Sequence, residues 1–364
     1  MKQMVETSDR IGRLFSDPVF KRVPAVLLVG QPNIYYFTNF TGHDSWAILT
    51  PTRTVLLTDG RYTLQAEQES PQARIVVRKG AMLPVFEKVL TQSRLRRLGF
   101  LAEDVTVDLH NRMAKACRKT KFLPLAAGPV HKLRQIKSPT EIDRICRAIA
   151  VAEAAFTELL RHVKPGRTEN EVAAELEYRM RRHGAEKAGF ETIVAGGANG
   201  AKPHARTTDT PLKAKQLVTF DFGALAGGYG SDLTRTVALG TMPRDLKDVY
   251  RICLEAQMAA VEAVGPGVRC RDVDAVARRI ITRAGYGKYF NHGTGHGLGL
   301  EVHEAPALNR ITEQTLEPGM VVTIEPGIYL PGLGGVRIED DVLVTAAGHQ
   351  VLTSLPKAAD QVVI

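Results

Sequence analysis

VTFDFG at residues 218–223 and VTIEPG at residues 322–327 are two copies of one pattern, a largely apolar run with a carboxylate residue at its fourth position. The carboxylates are Asp221 and Glu325, and each copy is followed by a second acidic segment, SDLTRTVALG (231–240) or IEDDVLVTAAG (338–348). The repetition predicts two related α/β halves. In these halves Asp221 would correspond to Glu325 and Asp232 to Glu339, so that each half supplies two carboxylates.

A weaker repeat lies upstream of each copy. KPGRTENEVAAELEYRMRRHG (164–184) resembles GPGVRCRDVDAVARRIITRAG (265–285) in its Pro-Gly turn, its acidic first helical turn and its final glycine. Both segments predict an amphipathic helix ahead of the acidic strands. Two such halves would form one duplicated domain, and a pocket is expected at the interface between them.

The first third of the chain predicts a separate α/β domain. Aliphatic runs closed by Gly, Pro or Asp predict strands at 23–30, 45–50, 54–60 and 73–80, and helical segments alternate with them. Near 131–140 the pattern changes, because Ser138 can cap a helix that begins at Pro139 and Glu141 can close a capping box. We therefore expect domains at 1–132 and 133–364.

Composition limits the function classes only broadly. The 364 residues are 44% hydrophobic and 24% charged, which is typical of a globular protein with two sizeable cores. The net charge of +9 is spread out and no nucleic-acid-binding module accompanies it, so a nucleic-acid partner is not expected. No apolar run reaches roughly 18 residues and no signal peptide is evident, which favours a cytoplasmic protein without membrane contact. The four cysteines show no C-x-x-C spacing and are expected to be buried free thiols.

The matched carboxylates indicate a metal centre. Asp221 lies between Phe220 and Phe222, where an isolated charge would be costly, although one such residue alone is more often a strand end that faces solvent. Four acids at matched positions of a duplication are harder to explain in that way. Because clustered anions repel each other unless cations balance them, the pattern predicts two divalent ions.

His296 would supply a nitrogen ligand. It lies in HGTGHGLGLEVHE (292–304), where glycines 293, 295, 297 and 299 allow close backbone approach and unusual φ angles. A phosphate-binding loop is the alternative for such a run, but neither G-x-G-x-x-G nor G-K-[ST] is present. His292 and His303 flank the same loop and could reach a substrate. A lone histidine is more often structural, but three in one segment favour a functional cluster.

The donor set suggests both the metal and the reaction. Carboxylates with one imidazole suit Mn²⁺, Co²⁺ or Fe²⁺ better than a structural zinc ion, and we expect two ions per chain, Mn²⁺ first, with Zn²⁺ as a further alternative. Two ions about 3.5–4 Å apart can bridge a water, lower its pKa and polarise a carbonyl. A Ser or Cys nucleophile with a neighbouring base is not evident, and G-x-S-x-G is absent. The sequence therefore predicts a hydrolase with a metal-bound hydroxide as nucleophile.

TFDFGALAGGYGSDLTRT, HGTGHGLGLEVHEAP, TIEPGIY and GVRIEDDV resemble the metal-binding motifs of the pita-bread metallopeptidases. The resemblance extends from about Leu133 to Val344, and TDGRYTLQAE (58–67) is similar to the N-terminal domain of aminopeptidase P and prolidase. It implies a creatinase/prolidase-like α/β domain followed by a duplicated α/β, pita-bread catalytic domain. It also implies a homodimer.

The resemblance assigns the metal ligands. Asp221 would hold one ion, His296 and Glu325 would hold the other, and Asp232 and Glu339 would bridge the two. Glu325 would also take the proton of the bridging water and pass it to the leaving nitrogen.

It likewise implies the residues that meet the substrate. His292 and His303 would contact the peptide, with His303 placed to stabilise the oxyanion. His204, in NGAKPHA, would bind the substrate and assist catalysis. Arg337 would receive the far end of the substrate. Lys202, in place of an aliphatic residue, and Asp341, in place of a frequent Thr, depart from the family pattern without replacing a ligand.

The activity implied is hydrolysis of a Xaa-Pro bond by a hydroxide that bridges two divalent metals. An aminopeptidase P type, which acts on longer peptides, is preferred over a prolidase type restricted to dipeptides. Two other hypotheses stay open: a peptidase-like binding protein without catalysis, and metal-free, creatinase-like hydrolysis. Both usually come with substituted ligands, whereas all five positions are filled here. The peptide bond to proline is distinctive because its nitrogen carries no hydrogen and the φ angle of proline is fixed.

Overall fold

The computed structural model describes residues 2–364, with side chains from Glu6 onward, and divides the chain into two units at the Arg134–Gln135 bond. Each unit has its own hydrophobic core. Short 3-10 helices cover Phe20–Arg22, Gly60–Tyr62, Gly197–Ala201 and Gly287–Tyr289.

The first unit is built on one six-stranded mixed sheet with helices between the strands. The strand order is β4-β3-β2-β1-β5-β6, with β1–β2 and β2–β3 antiparallel and the other pairs parallel. The strands are β1 (Val26–Leu28), β2 (Trp46–Leu49), β3 (Thr54–Asp59), β4 (Arg74–Arg78), β5 (Arg97–Leu101) and β6 (Lys121–Leu125). The helices are α1 (Lys2–Ser16), α2 (Gln31–Thr38), α3 (Thr63–Glu69), α4 (Met82–Gln92), α5 (Val107–Ala116) and α6 (Gly128–Gln135). The predicted α/β alternation is confirmed.

The second unit contains four long helices and several antiparallel sheets. The helices are α7 (Pro139–Leu160), α8 (Glu169–Arg182), α9 (Arg244–Glu262) and α10 (Cys270–Arg283). The strands up to the second helix pair are β7 (Lys187–Ala188), β8 (Ile193–Gly196), β9 (Gln216–Phe222), β10 (Ala224–Ala226), β11 (Tyr229–Gly230) and β12 (Leu233–Leu239). Those after it are β13 (Gly295–Gly297), β14 (Glu304–Leu308), β15 (Val321–Ile324), β16 (Gly327–Leu330), β17 (Gly334–Arg337), β18 (Asp340–Thr345) and β19 (Gly348–Val351).

The duplication is visible in the topology of this unit. In the first half, α7 packs on α8 and a sheet of order β12-β9-β8 follows. In the second half, α9 packs on α10 and the corresponding strands lie in the order β13-β15-β18 within a five-stranded sheet. Both central strands pair antiparallel with their neighbours. The predicted duplicated α/β fold is therefore confirmed.

The two hairpins differ in register, which corrects one predicted correspondence. Thr219 in β9 pairs with Thr236, whereas Thr323, its counterpart in β15, pairs with Asp341. Asp232 is therefore offset by two residues from the position that matches Glu339. The sequence could not show this because only the acidic residues served to align the two segments. An even offset keeps a side chain on the same face of a strand, so both acids still point to one site.

The start of α7 follows the predicted capping chemistry. The Ser138 hydroxyl accepts a hydrogen bond from the Glu141 amide at 3.3 Å, and the Glu141 carboxylate accepts one from the Ser138 amide at 2.8 Å. Pro139 is the first helical residue. The cysteines are free thiols, and three of the four are buried while Cys146 is half-buried. Within residues 2–364, the helices are too short or too polar to cross a membrane.

Candidate metal centre

All of the predicted site residues meet at one cavity. It has a volume of about 640 Å³ and lies within the second unit. Its lining includes Asp221, Asp232, His296, Glu325, Glu339, His204, His292, His303 and Arg337.

The acids are placed by the ends of four strands. Asp221 is the last residue but one of β9, and Glu325 directly follows β15. Asp232 and Glu339 directly precede β12 and β18, the antiparallel partners of those strands. Since antiparallel partners end where their neighbours begin, the duplication brings two pairs of carboxylates to one location.

Three ligand atoms are already grouped as a metal ion requires. One atom each of Asp232, His296 and Glu339 lies within 4.8 Å of the other two. His296 Nε2 is 3.6 Å from an Asp232 oxygen and 3.5 Å from a Glu325 oxygen. Asp221 is held differently, because its Oδ2 accepts a hydrogen bond from Arg337 Nη2 at 2.6 Å. A divalent ion would accept lone pairs from these oxygens and from the imidazole, which otherwise face one another.

The imidazole of His296 is oriented for coordination. Its Nδ1 is 3.1 Å from the carbonyl oxygen of Gly297, so we assign the proton to Nδ1, and Nε2 then presents its lone pair to the acids. Burial, with a smaller contribution from His303, lowers the pKa of His296 to about 4. The ring is therefore neutral near pH 7, as a metal ligand must be.

The buried carboxylates require protons or cations. Burial raises the pKa of Glu325 to about 8; Arg337 opposes the shift and Asp221 adds to it. Burial raises the pKa of Asp232 and of Glu339 well above the usual range, and the neighbouring acids raise both further. Because each group disfavours ionisation of the others, the set fits divalent ions, which would neutralise it at neutral pH.

The glycines around His296 serve close packing. A Cβ on Gly295 would lie 1.8 Å from the carbonyl oxygen of Thr323, and one on Gly297 would lie 2.3 Å from that of Ala305. The expected unusual φ angles are not found at glycines 293, 295, 297 and 299, none of which has a positive φ. The pairing of β13 with β14 shifts between His296 and Gly297, a bulge that aims the imidazole toward the acids.

Arg337 and His292 belong to one buried network. Arg337 donates from Nε to Thr234 Oγ1 at 3.1 Å and from Nη1 to Tyr329 Oη at 2.8 Å, in addition to its bond with Asp221. His292 Nε2 is 2.9 Å from the same tyrosine oxygen, and its Nδ1 is 2.7 Å from the Gly293 carbonyl oxygen. Burial, together with the charge of Arg337, lowers the pKa of His292 to about 4. These side chains therefore support Asp221 and the cavity wall.

The segment that carries His204 is fixed by a buried acid, Glu169. The Glu169 carboxylate accepts hydrogen bonds from the Gly196 amide, from Asn199 Nδ2, and from both the amide and the hydroxyl of Thr208, at 2.7–3.0 Å. His204 lies between these anchors, exposed at the cavity. His303 faces the metal ligands, with its ring centroid 4.4 Å from that of His296.

The two residues that depart from the family pattern, Lys202 and Asp341, lie in different surroundings. Lys202 donates to Asn199 Oδ1 at 3.1 Å and is absent from the cavity lining. Asp341 is fully buried, and its Oδ2 accepts the Asp232 amide at 3.3 Å, so it supports a predicted ligand.

Sequence reasoning missed several supporting side chains. Thr234 donates to Glu339 Oε2 at 2.6 Å, and Tyr329 joins Arg337 to His292. Their roles depend on strand register and on the β16–β17 hairpin, for which the sequence offered no signal. Thr234 could have been suspected only from its place two residues after Asp232.

Comparison with known proteins agrees with this geometry. Residues 143–346 match the metallopeptidase family M24, and residues 19–136 match the Creatinase/Prolidase N-terminal domain. The chain is 40% identical to an uncharacterized peptidase, YqhT, of Bacillus subtilis over 92% of its own length and 95% of that protein.

Two solved structures resemble the whole chain. One is a Xaa-Pro dipeptidase from Bacillus anthracis, with 39% identity and a TM-score of 0.93, covering 98% of this chain and 100% of that one. The other is an X-Pro aminopeptidase from Thermotoga maritima MSB8, with 36% identity and a TM-score of 0.89, covering 96% and 100%. With the duplicated fold, the clustered acids and a family match over more than half of its length, the chain belongs to the metallopeptidase family M24.

Proposed function

We propose that the protein is a Xaa-Pro aminopeptidase that releases the residue before proline from the N-terminus of a peptide. The observation that carries the proposal is the convergence of four carboxylates and one imidazole on a single cavity, in a chain similar to enzymes named for Xaa-Pro cleavage. The alternative is a Xaa-Pro dipeptidase. Similarity to both kinds of enzyme supports the shared reaction and leaves the choice to experiment.

Two divalent ions are part of the proposal, with Mn²⁺ as the first choice because oxygen donors dominate the set. Asp221, Asp232, His296, Glu325 and Glu339 would hold the ions. When bound, such ions supply a Lewis acid for the scissile carbonyl and activate water.

Glu325 is proposed to move the proton. Its carboxylate lies beside His296, and burial raises its pKa, which makes the ionised form a stronger base than an exposed carboxylate. It would accept a proton from the attacking water and deliver it to the proline nitrogen as the C–N bond breaks. This transfer is needed because an unprotonated amide nitrogen is a poor leaving group.

The histidines form the proposed substrate wall. His303 lies against His296 and would donate to the oxyanion, while His204 is exposed at the cavity and would meet the peptide. His292 and Arg337 are retained as contacts to the substrate, although both also have partners inside the protein.

The proposal extends to assembly and domain roles. A homodimer is expected from the family resemblance, and light scattering would measure it. Residues 1–132 are proposed to form the creatinase/prolidase-like domain and residues 133–364 the catalytic domain.

The test uses metal-depleted protein, to which Mn²⁺ is returned, with Gly-Pro and Gly-Pro-Ala as substrates. We expect activity that requires the ion, and cleavage of the tripeptide; turnover of the dipeptide alone would favour the dipeptidase alternative. Glu325→Gln should lower kcat/KM by about 10²- to 10⁴-fold. Glu262→Gln is the matched control, because Glu262 is exposed at the end of α9 and does not line the cavity. Full activity of Glu325→Gln would contradict the proton-transfer role.

A further inference from the structure

The cavity contains two guanidinium groups with different surroundings. Arg206 and Arg337 are the arginine residues of its lining, and no lysine joins them among the described residues. A peptide substrate ends in a carboxylate, and a guanidinium is the side chain best matched to it, because two parallel N–H donors can bind its two oxygens.

Arg337 is largely committed within the protein. It is 4% exposed, and four hydrogen bonds occupy its guanidinium: to Thr234, Tyr329, Asp221 and the carbonyl oxygen of Pro203. A guanidinium has five N–H donors, so one remains. A bidentate contact with a substrate would require breaking one of the internal bonds, and the loss of the bond to Asp221 would disturb a predicted metal ligand.

Arg206 is in the opposite situation. Its side chain is exposed, and within residues 6–364 its guanidinium has no hydrogen-bond or ion-pair partner. Glu191, an exposed acid in the same lining, makes no ion pair with it. The charge of Arg206 is therefore available to a ligand.

The backbone that presents Arg206 is firmly placed. The Arg206 carbonyl oxygen accepts a hydrogen bond from Asn199 Nδ2 at 3.0 Å. The same amide group donates to buried Glu169, which also binds the backbone of Thr208, two residues after Arg206. Only the side chain of Arg206 must become ordered on binding, which lowers the entropic cost of recognition.

The position of Arg206 also bears on substrate length. Asp232 and Glu339, two of the predicted metal ligands, are 5% and 2% exposed and the other three are half-buried, whereas Arg206 is exposed. Each residue added after proline carries the terminal carboxylate outward by up to roughly 3.5 Å. A carboxylate beyond proline is thus the better match for this exposed cation of the lining.

We propose that Arg206 binds the C-terminal carboxylate of short peptides that continue past proline, and so selects Xaa-Pro-Yaa substrates with a free C-terminus. The inference rests on the proposed Xaa-Pro activity and names the substrate class of that site. Arg337 would still contact the peptide along the cavity wall and also position Asp221, and the terminal carboxylate would go to Arg206.

The experiment compares Gly-Pro-Ala with its C-terminal amide, using the full-length, Mn²⁺-loaded protein. The wild type should prefer the free acid over the amide in kcat/KM by about tenfold, as expected for loss of one charge-assisted contact. Arg206→Gln should bring this ratio close to one, mainly through KM, and Arg206→Lys should retain part of it. Calorimetric binding of the product Pro-Ala and of Pro-Ala amide should show the same change in preference without turnover.

Arg244→Gln is the matched control. Arg244 is exposed at the start of α9 and is not part of the cavity lining, so removing its charge should leave the ratio unchanged. A ratio that Arg206→Gln does not alter, an equal loss on acid and amide, or an effect confined to Gly-Pro would overturn the inference and leave the proposed activity intact. A wild type inactive on every Xaa-Pro peptide would instead overturn the proposed function, and this inference with it.

Discussion

At the scale of single residues, the site is defined by acids whose ionisation is unfavourable. Glu325, Asp232 and Glu339 all have a raised pKa because burial and mutual repulsion disfavour their charged forms. His292 and His296 have a lowered pKa for the same reason, burial of the charged form. Without metal, the neutral forms of these three acids and two histidines are thus favoured, and metal binding must reverse this for the acids.

These shifts predict how the stability of the metal-free protein depends on pH. A group whose pKa is raised on folding stabilises the protein at pH values below its unfolded pKa. This stabilisation is lost as the pH rises to the folded pKa, which for Glu325 means between about pH 4.5 and about pH 8. The two histidines act in the opposite direction, but only below about pH 6.5. Between pH 6.5 and 9 the free energy of unfolding should therefore fall, with Glu325 alone contributing on the order of 2 kcal/mol.

Chemical denaturation in the presence of a chelator would measure this slope. Glu325→Gln should flatten it, whereas Glu262→Gln should leave it as in the wild type. A slope that Glu325→Gln does not change would contradict the assigned burial of the charge.

At the scale of elements, successive side chains along β18 point to opposite faces, so that residues of the site alternate with residues of the core. Glu339 and Asp341 lie on one face, toward Thr234 and Asp232, while Asp340 between them points to the other. There its Oδ1 accepts a hydrogen bond from Arg235 Nη2 at 2.8 Å, with the two side chains 2% and 1% exposed. One strand therefore carries a site residue and a buried ion pair in successive positions.

The ion pair gives a stability prediction with an internal control. Asp340→Ala would leave the Arg235 charge buried without its partner and should cost about 3–5 kcal/mol of unfolding free energy. Glu255→Ala breaks an exposed pair with Arg251 on α9, where the side chains are 58% and 64% exposed, and should cost less than about 1 kcal/mol. Urea denaturation of both variants would test the contrast, and equal losses would show that burial does not set the cost.

The elements also show what the sequence could and could not predict. Both copies of the helix-and-strand pattern were predicted because apolar periodicity is a local signal, as is the Ser138 capping box that marks the start of α7. The acids were found because they recur. The offset between Asp232 and Glu339 was missed because register depends on pairing between strands distant in sequence. Thr234, Tyr329 and Arg206 were missed for a related reason: ordinary polar residues gain a role only from what folding places beside them.

At the scale of the whole molecule, metal binding and folding should be linked in only one unit. The first unit has its own core, which includes Leu27, Phe86 and Phe100, and the predicted metal ligands all lie in the second. An ion at one hundred times its dissociation constant stabilises the unit that binds it by about 2.7 kcal/mol.

Scanning calorimetry should therefore show two transitions, of which only one moves to lower temperature when the metal is chelated. Residues 133–364, prepared alone, should reproduce the transition that moves. A single transition that shifts as a whole would contradict independent cores.

The alternation along β18 also bears on how such a chain can change in evolution. Inserting or deleting one codon within 338–342 would exchange the two faces of the strand, sending Glu339 toward buried Arg235 and Asp340 into the cavity. The turn at 331–333, between β16 and β17, is exposed and can change length without that penalty. In related sequences, insertions and deletions should therefore occur at this turn and be rare in the strand, even at strand positions where single substitutions are found.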